Sequence, residues 1–462
     1  MTINLTTTAQ VESALDELSS VLPGQVVDPR HPDWTALSRA WILSVDQRPR
    51  AVVTVTDEED VVAVVGWAAR HDMTVSVQPV GHGATHALDG TVLLRTRGLR
   101  EITVDAENRI ARVGAGVKWG ELLAAVSDLG LTGLAGSSPD PSVVGFTLGG
   151  GLSWFSRAFG LAAHSVVAVE LVDGDGELRR VTAASDPDLF WAIRGGGGDF
   201  GIVTALEFRL HPAPHVYGGR LLWPIEMARP VMTAFAEVTA SAPDELTAWA
   251  HLLRFPPLPE IPEPLRGGSF VSVDLTFLGS AEEAERLLAP LRSLPALRFD
   301  TLGTVPLAEL GGIAAEPVDP MPTMELSGLL RDFDEVTIDR LLAAAGGPDS
   351  PLVVVQVRHL GGALTRATDA DGAAGALSEP YQLFCLGVPV SPEVAYAIGQ
   401  AFAEVRTALG EHLTGRRAFN FLSDDHDPTS AFSPTALERL VAVKAEVDPH
   451  GTIRSNRPVN RS

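Results

Sequence analysis

The sequence predicts an α+β protein of two or three domains, and three observations carry that prediction. The 462 residues are 45% hydrophobic, enough for more than one buried core at about 100–200 residues per domain. Residues 216–410 alternate apolar strand patterns with long helical ones, the pattern of one sheet backed by helices. Pro212 and Pro214 punctuate the chain just ahead of that region and mark a boundary.

Apolar residues at helical spacing predict an N-terminal helix from Val11 to Val21, followed by a proline-rich entry. Thr56-Asp57-Glu58-Glu59 reads as a capping box whose helix runs to about His71, with Val61, Val62, Val64, Val65 and Ala68 on its apolar face. Thr74 to Val77 is a strand ending at Gly81-His82-Gly83. Strands near 92–94, 102–104 and 111–113 precede a helix from Trp119 to about Leu129. The glycine-rich stretch Ser137 to Gly151 lies ahead of a helix-like segment, and Ser165 to Val172 is again a strand. Asp186-Pro187-Asp188 caps a short helix through Arg194, four glycines follow, and 202–208 alternates like a strand.

Beyond the boundary, strands are expected at 218–225, 247–254, 269–278, 324–330, 352–359 and 381–388, with helices at 226–241, 280–292, 334–345 and 393–409. The five prolines between Pro256 and Pro264 forbid regular structure there, and that loop is placed over the site entrance. The last fifty residues predict a short strand (Ala418 to Leu422), a helix (Pro434 to Val447) and an irregular tail.

Composition excludes several functions. The net charge of -23 argues against a sequence-independent hold on nucleic acid or an anionic membrane, because both need a Lys/Arg footprint. Only Lys118 and Lys444 are lysines and neither follows a glycine, so no P-loop exists. The single cysteine, Cys385, can build neither an internal disulfide nor a thiolate zinc site and reads as strand core. No apolar run of about 20 residues and no secretory leader pattern appear, so a cytoplasmic protein is expected.

The glycine motifs carry the chemistry. Gly196-Gly197-Gly198-Asp199-Phe200-Gly201 matches G-x-G-x-x-G, but a helix precedes it and a strand follows, the reverse of a dinucleotide fingerprint. Gly81-His82-Gly83 closes a strand, where successive backbone N–H groups form an anion nest suited to a diphosphate, or else a plain turn. With Gly145 to Gly151 and the glycines at 195–198, three such approaches point to a large phosphate-bearing cofactor. His82 and His86 are four apart, but the glycines between disfavour a helix, and no metal site is expected. No Gly-x-Ser-x-Gly elbow is present.

Four ordered blocks then bring a resemblance. Val77-Gln78-Pro79-Val80-Gly81-His82 resembles the V-R-x-G-G-H flavin loop of the FAD-linked oxidases with the vanillyl-alcohol-oxidase (PCMH-type) fold, in particular the berberine-bridge-enzyme-like branch. Residues 138–151 resemble that branch's C-P-x-V-G-x-x-G-x-x-L-G-G-G, residues 188–204 its D-L-F-W-A-L-R-G-G-G-G-N-F-G-V-V-T block, and Asn420-Phe421 with Asp448 to Asn456 its closing segment. The resemblance implies a two-part FAD-binding PCMH-type domain over residues 1–211, an α+β substrate domain over 212–414, and a segment 415–462 returning to the FAD domain. It also implies FAD contacts from Gln78, Pro79, Val80, Gly81, His82, Gly83, Ala84, Ser138, Pro139, Ser142, Val143, Gly145, Gly149, Gly150, Val203 and Asn456. His82 stands where the family bonds the flavin C8 methyl, so covalent attachment through His82 is implied.

Departures from the pattern sharpen these expectations. Ser138 replaces the branch's second attachment cysteine, so the flavin is held through His82 only. Gln78 replaces the usual arginine, Val80 replaces a glycine, and Pro141 occupies a position that gates oxygen in the family. Ala418 stands where the family often has a tyrosine base. That leaves Tyr381, at the start of a sheet strand, and His359, with an ordinary pKa near neutrality, as candidate catalytic bases, with Asp424-Asp425-His426 as a further cluster.

The expected function is an FAD-dependent oxidase that moves a hydride from an alcohol, amine or related C–H centre of a small-molecule substrate to flavin N5, with O2 as acceptor. The alternatives are a biosynthetic dehydrogenase or cyclase/isomerase with little oxygen turnover, and a flavin-binding protein without catalysis. No nucleic-acid or membrane partner is expected, and neither substrate identity nor oligomeric state follows from the sequence.

Overall fold

Three larger sheets organise the chain in a computed structural model, which describes residues 8–424 and 427–460. The first orders its strands Val26–Val27, Ala51–Thr54, Val92–Arg95, Val75–Val77, the last three parallel. It buries Val53, Val75 and Leu94 against the helices Thr8–Val21 and Glu58–Arg70. The cap of the second helix lies one residue later than expected. Asp57 is the N-cap, its carboxylate accepting from Asp60 N (2.9 Å), and the reciprocal arm is Asp60, which accepts from Thr56 N (2.8 Å).

The second sheet is antiparallel, in the order Ile102–Asp105, Ile110–Gly114, Ile202–Arg209, Val166–Val172, Leu178–Val181. Its core is shared with the helices Trp119–Val126, Pro187–Ile193 and Pro434–Val447. A helix, Ser156–Phe159, follows the glycine-rich stretch as expected, and a second one, Val143–Leu148, begins inside it, where Ser142 Oγ caps Gly145 N (3.0 Å).

The third sheet runs Phe299–Asp300, Tyr217–Pro224, Ser269–Phe277, Leu246–Arg254, Leu352–His359, Tyr381–Gly387, Met324–Leu330, antiparallel between each pair of neighbours. Side chains alternate across its faces. One face presents Leu221, Val273, Ala250, Val357, Leu383 and Cys385 to the helices Ala228–Ala240, Glu335–Ala345 and Pro392–Leu409. Burial there pushes the Cys385 thiol up to about 12, which agrees with its reading as core.

The opposite face is polar and equally buried. Register pairs Arg220 with Asp274, Ser272 with His251, His251 with Gln356, and Arg358 with Gln382. Arg220 clamps Asp274 through two bonds of 2.7 and 2.6 Å, and Gln356 joins His251 to Arg358. A buried polar row is tolerable when its members satisfy one another; here the amide of Gln382 is the exception, with no partner among the described residues.

The C-terminal stretch departs from expectation at one point. Residues Phe419–Phe421 form a 3-10 turn rather than a strand, closed by Phe421 N to Ala418 O (2.9 Å). No helix of the described residues is long and apolar enough to cross a membrane.

Burial lowers the His251 imidazole to about 4, with the charges of Arg220 and Arg358 acting in the same direction against a raising effect of Asp274. The unfolded chain therefore binds this proton more readily than the fold does. Stability is expected to be full above about pH 6.5 and to fall towards pH 4 by about 1.4 kcal/mol per unit. Denaturation midpoints followed over that range should flatten in His251→Gln, and an unchanged slope would assign the acid sensitivity elsewhere.

Candidate active site

A cavity of about 500 Å³ lies between the glycine loops and the polar face of the third sheet. The first loop enters it from the strand Val75–Val77. Gly81 has φ +109°, and a Cβ there would stand 2.8 Å from Trp41 N and 2.9 Å from Ala40 Cα, so only glycine fits. Val80 is not among the residues of positive φ, so its replacement of a glycine strains nothing. Arg95 supplies a guanidinium from the neighbouring strand, donating to the carbonyls of Gln78 (2.7 Å), Leu37, Ser38 and Arg39. Gln78 itself donates to Gln47 and accepts from Asn456.

The second loop is held by the tail. Asn420 accepts from Gly151 N (2.6 Å) and donates to Phe146 O (3.0 Å), and a Cβ on Gly149 would meet Asn420 Nδ2 at 2.5 Å. Gly197, at φ +89°, packs under Phe419 and gives its N–H to Leu148 O (2.9 Å). Asn456 accepts from Thr85 N (3.0 Å) and Gln47 (3.2 Å), which fastens the tail to the first loop.

His82 is half-buried, stacked on Trp41 at 4.3 Å, and its Nε2 lies 2.9 Å from Asp140 Oδ2. Lys118 pairs with the other oxygen of Asp140. Burial works against the Asp140 charge, but the hydrogen bonds of His82 and Lys118 outweigh it and hold the carboxyl below its usual range.

Of the residues expected at a cofactor, Gln78, Pro79, Val80, Gly81, His82, Gly83, Ser138, Ser142, Gly145, Gly149, Val203 and Asn456 line the cavity. Four do not. Ala84 packs with Ala40 and Ile42, Val143 is fully buried in the core, Pro139 packs against Gly120 and Gly311, and Gly150 turns towards Leu161 and Ala374. Residues 256–264 are also absent from the lining, and Arg266 ties that loop to itself through Leu258 O, Pro259 O and Ile261 O.

Neither candidate base reaches the cavity. Tyr381 is buried on the helix side, its hydroxyl 2.7 Å from Thr239 Oγ1 and its ring beside Phe235 and Phe333, and burial raises its pKa. His359 pairs with Tyr381 in register and so shares that face. Burial, then the Arg157 charge, lowers it to about 3, and Arg157 Nη1 lies 3.1 Å from its Nε2, which leaves it a neutral acceptor. The reason is strand parity: past a register shift between Leu352 and Val354, Gln356 and Arg358 on one strand and Phe384 and Leu386 on the other face the cavity, and a step of one residue reverses the face. Asp424 accepts from His86 N at the surface, whereas Asp425 and His426 lie outside the described residues.

The sheet instead offers Glu325, Gln356 and Arg358 among the apolar Val353, Val354, Phe384 and Leu386. Glu325 is partly exposed to the cavity. Enclosure by protein raises its carboxyl above the ordinary range, against a bond from Thr323 Oγ1 (3.2 Å) and the charge of Arg457. Arg358 is sandwiched between the rings of Trp249 (4.0 Å) and Phe421 (4.8 Å), and burial lowers it to about 10. In Met324-Glu325-Leu326-Ser327 the alternation already sets Glu325 and Ser327 opposite the core-facing Leu326, a signal the sequence held.

The lining suits a flavin nucleotide. Among the described residues, the backbone N–H groups of Val80, Gly81, His82 and Gly83, and of Ser137 and Ser138, donate to no protein acceptor. A Cβ on Gly83 would meet nothing within 4 Å. Unused donors beside open space fit anionic oxygens. No group of three His, Cys, Asp or Glu able to hold a metal occurs among the described residues.

Comparison with known proteins agrees with this geometry. Residues 49–182 match the model of an FAD binding domain. The chain is 27% identical over 458 residues to (R)-6-hydroxynicotine oxidase of Paenarthrobacter nicotinovorans, covering 94% of this chain and 96% of that one. Among solved structures, BBE-like 1 of Physcomitrella patens superposes with a TM-score of 0.82 at 21% identity, covering 98% of this chain and 100% of that one. A chitooligosaccharide oxidase gives 0.82 at 19%, covering 98% and 99%. These two structural likenesses establish the fold.

Proposed function

We propose, from the premise that the chain is an FAD-linked oxidoreductase with an FAD-binding domain and the fold of the berberine-bridge-enzyme-like oxidases, that it is an oxidase of a small-molecule alcohol, amine or related C–H centre. The supporting observation is the cavity itself, where three glycine blocks and the tail meet a sheet face carrying Glu325, with Glu316 also among the lining residues. Bound FAD supplies hydride acceptance at N5 and reoxidation by O2.

The chain supplies binding and proton management. The loops 78–83 and 137–149, with Gly197, Gly198 and Asn456, would hold FAD, and His82 would bond it as the single covalent link. Glu325 takes the proton from the substrate's hydroxyl or amine group. Arg358, with its Nε committed to Gln356, places positive charge at the substrate side of the cavity. The wall of Val353, Val354, Phe384, Leu386 and Phe421 excludes water and suits a largely apolar molecule with one polar group. The relatives named for 6-hydroxynicotine and for chitooligosaccharides span amine and carbohydrate chemistry.

An anaerobic screen of alcohols, sugars, amines and phenols against the yellow holoenzyme is expected to find compounds that bleach the flavin, with the colour returning within seconds of admitting air. Reoxidation over many minutes would make the protein a dehydrogenase. A colourless purified protein would end the flavin reading. On a denaturing gel the fluorescent band of the wild type should vanish in His82→Ala.

A further inference from the structure

The structure fastens Lys118, the N-cap residue of the helix Trp119–Val126, to Asp140 beside His82. The Asp140 segment is laced to the Lys118 segment by Gly120 N to Pro139 O (2.9 Å), Trp119 N to Pro141 O (3.1 Å) and Val143 N to Val117 O (2.9 Å). Lys118 N is itself held by Glu121 Oε2 (2.9 Å). The Asp140 side chain is only 10% exposed, with Lys118 Nζ on one oxygen and His82 Nε2 on the other. Among the described residues no other carboxylate pairs with His82.

This geometry fixes a tautomer. A carboxylate held in its charged form can only accept, so Nε2 of the His82 ring carries a proton, and in the neutral ring the lone pair is then on Nδ1. Trp41, stacked at 4.3 Å and 27°, covers one face of the ring. A nucleophile oriented by a base that is held by a third group is the general arrangement for covalent catalysis.

We propose that Asp140, held by Lys118, is the positioning residue for covalent attachment of FAD: it presents His82 Nδ1 to the flavin C8 methyl and accepts the Nε2 proton as the bond forms. The inference rests on the reading of His82 as the attachment residue. In the balanced step one methyl C–H and one imidazole N–H are lost and one N–C bond forms. The two electrons and two protons so released reduce O2 to H2O2.

The test compares wild type, Asp140→Asn, Asp140→Glu and Lys118→Met as purified. Covalent flavin is read from the fluorescence of the acid-precipitated polypeptide and its intact mass, and total FAD from absorbance before precipitation. Asp140→Asn is expected to keep its total FAD while the covalent fraction falls at least about tenfold. Lys118→Met should fall less, and Asp140→Glu should recover part of the fraction. Covalent flavin at wild-type level in Asp140→Asn overturns the proposal. So does joint loss of covalent and noncovalent FAD, which would make Asp140 a structural residue. A wild type without covalent flavin removes the attachment reading itself, a result distinct from either of these.

Discussion

Glu325→Gln is expected to lower kcat by about 10²- to 10⁴-fold, the range for loss of a positioned general base, while leaving the flavin absorbance and the covalent fraction unchanged. The amide keeps the shape of the side chain and its bond to Thr323 but cannot take a proton. The pH profile gives the second arm. The base works deprotonated, and enclosure raises the Glu325 carboxyl, so kcat/KM of the wild type should fall as pH drops through a value above the ordinary glutamate range of about 4.3. That acid limb should be missing from Glu325→Gln. Tyr381→Phe serves as the contrast: among the described residues its hydroxyl bonds only Thr239 on the helix face, so its turnover should stay close to wild type. A loss under about tenfold in Glu325→Gln with a large loss in Tyr381→Phe would return the base to the tyrosine.

The fold was more legible than the site, for a physical reason. Strands 324–330 and 352–359 are visible as apolar runs, because burial of one face is written into composition over seven or eight residues. The glycine blocks are equally visible: Gly81 and Gly197 occupy backbone conformations and close contacts that no other residue tolerates. Which side of a strand meets the ligand is a different kind of information. It depends on register, and Arg358 and His359 are neighbours in sequence yet face a cavity and a helix layer respectively. Both faces of that sheet are buried, so hydrophobic alternation is muted by Gln356 bonded to His251 and Asp274 bonded to Arg220, out of sight of solvent. Lys118 and Asp140 were hidden for a related reason: 22 residues separate them in sequence, and only the lacing of their two segments brings them together.

The other lysine leads to the second large effect. Lys444 Nζ is enclosed by Asp199 O (2.6 Å), Asp448 Oδ2 (2.6 Å) and Ile453 O (2.8 Å), and the same Asp448 accepts from Thr452 N and Ile453 N. Asp199 completes the clasp by taking Ser455 N (2.9 Å) and Val459 N (2.8 Å). The tail held in this way exchanges backbone bonds with Val75, through Val75 N to Thr452 O (2.7 Å) and Arg454 N to Val75 O (2.9 Å), on the strand that feeds the first glycine loop. Lys444→Met removes one partner of a buried ion pair and leaves the Asp448 charge behind, a change that costs about 3–5 kcal/mol. Chemical denaturation of the holoenzyme should show a loss of that size, and weaker retention of FAD should accompany it because Asn456 no longer fixes Thr85 and Gln47. In Lys444→Met/Asp448→Asn the uncompensated charge is gone, so the double variant is expected to be more stable than the single one. If the double variant is instead less stable than Lys444→Met, the clasp acts through the Asp448 bonds to the tail backbone, and the lysine only shields them.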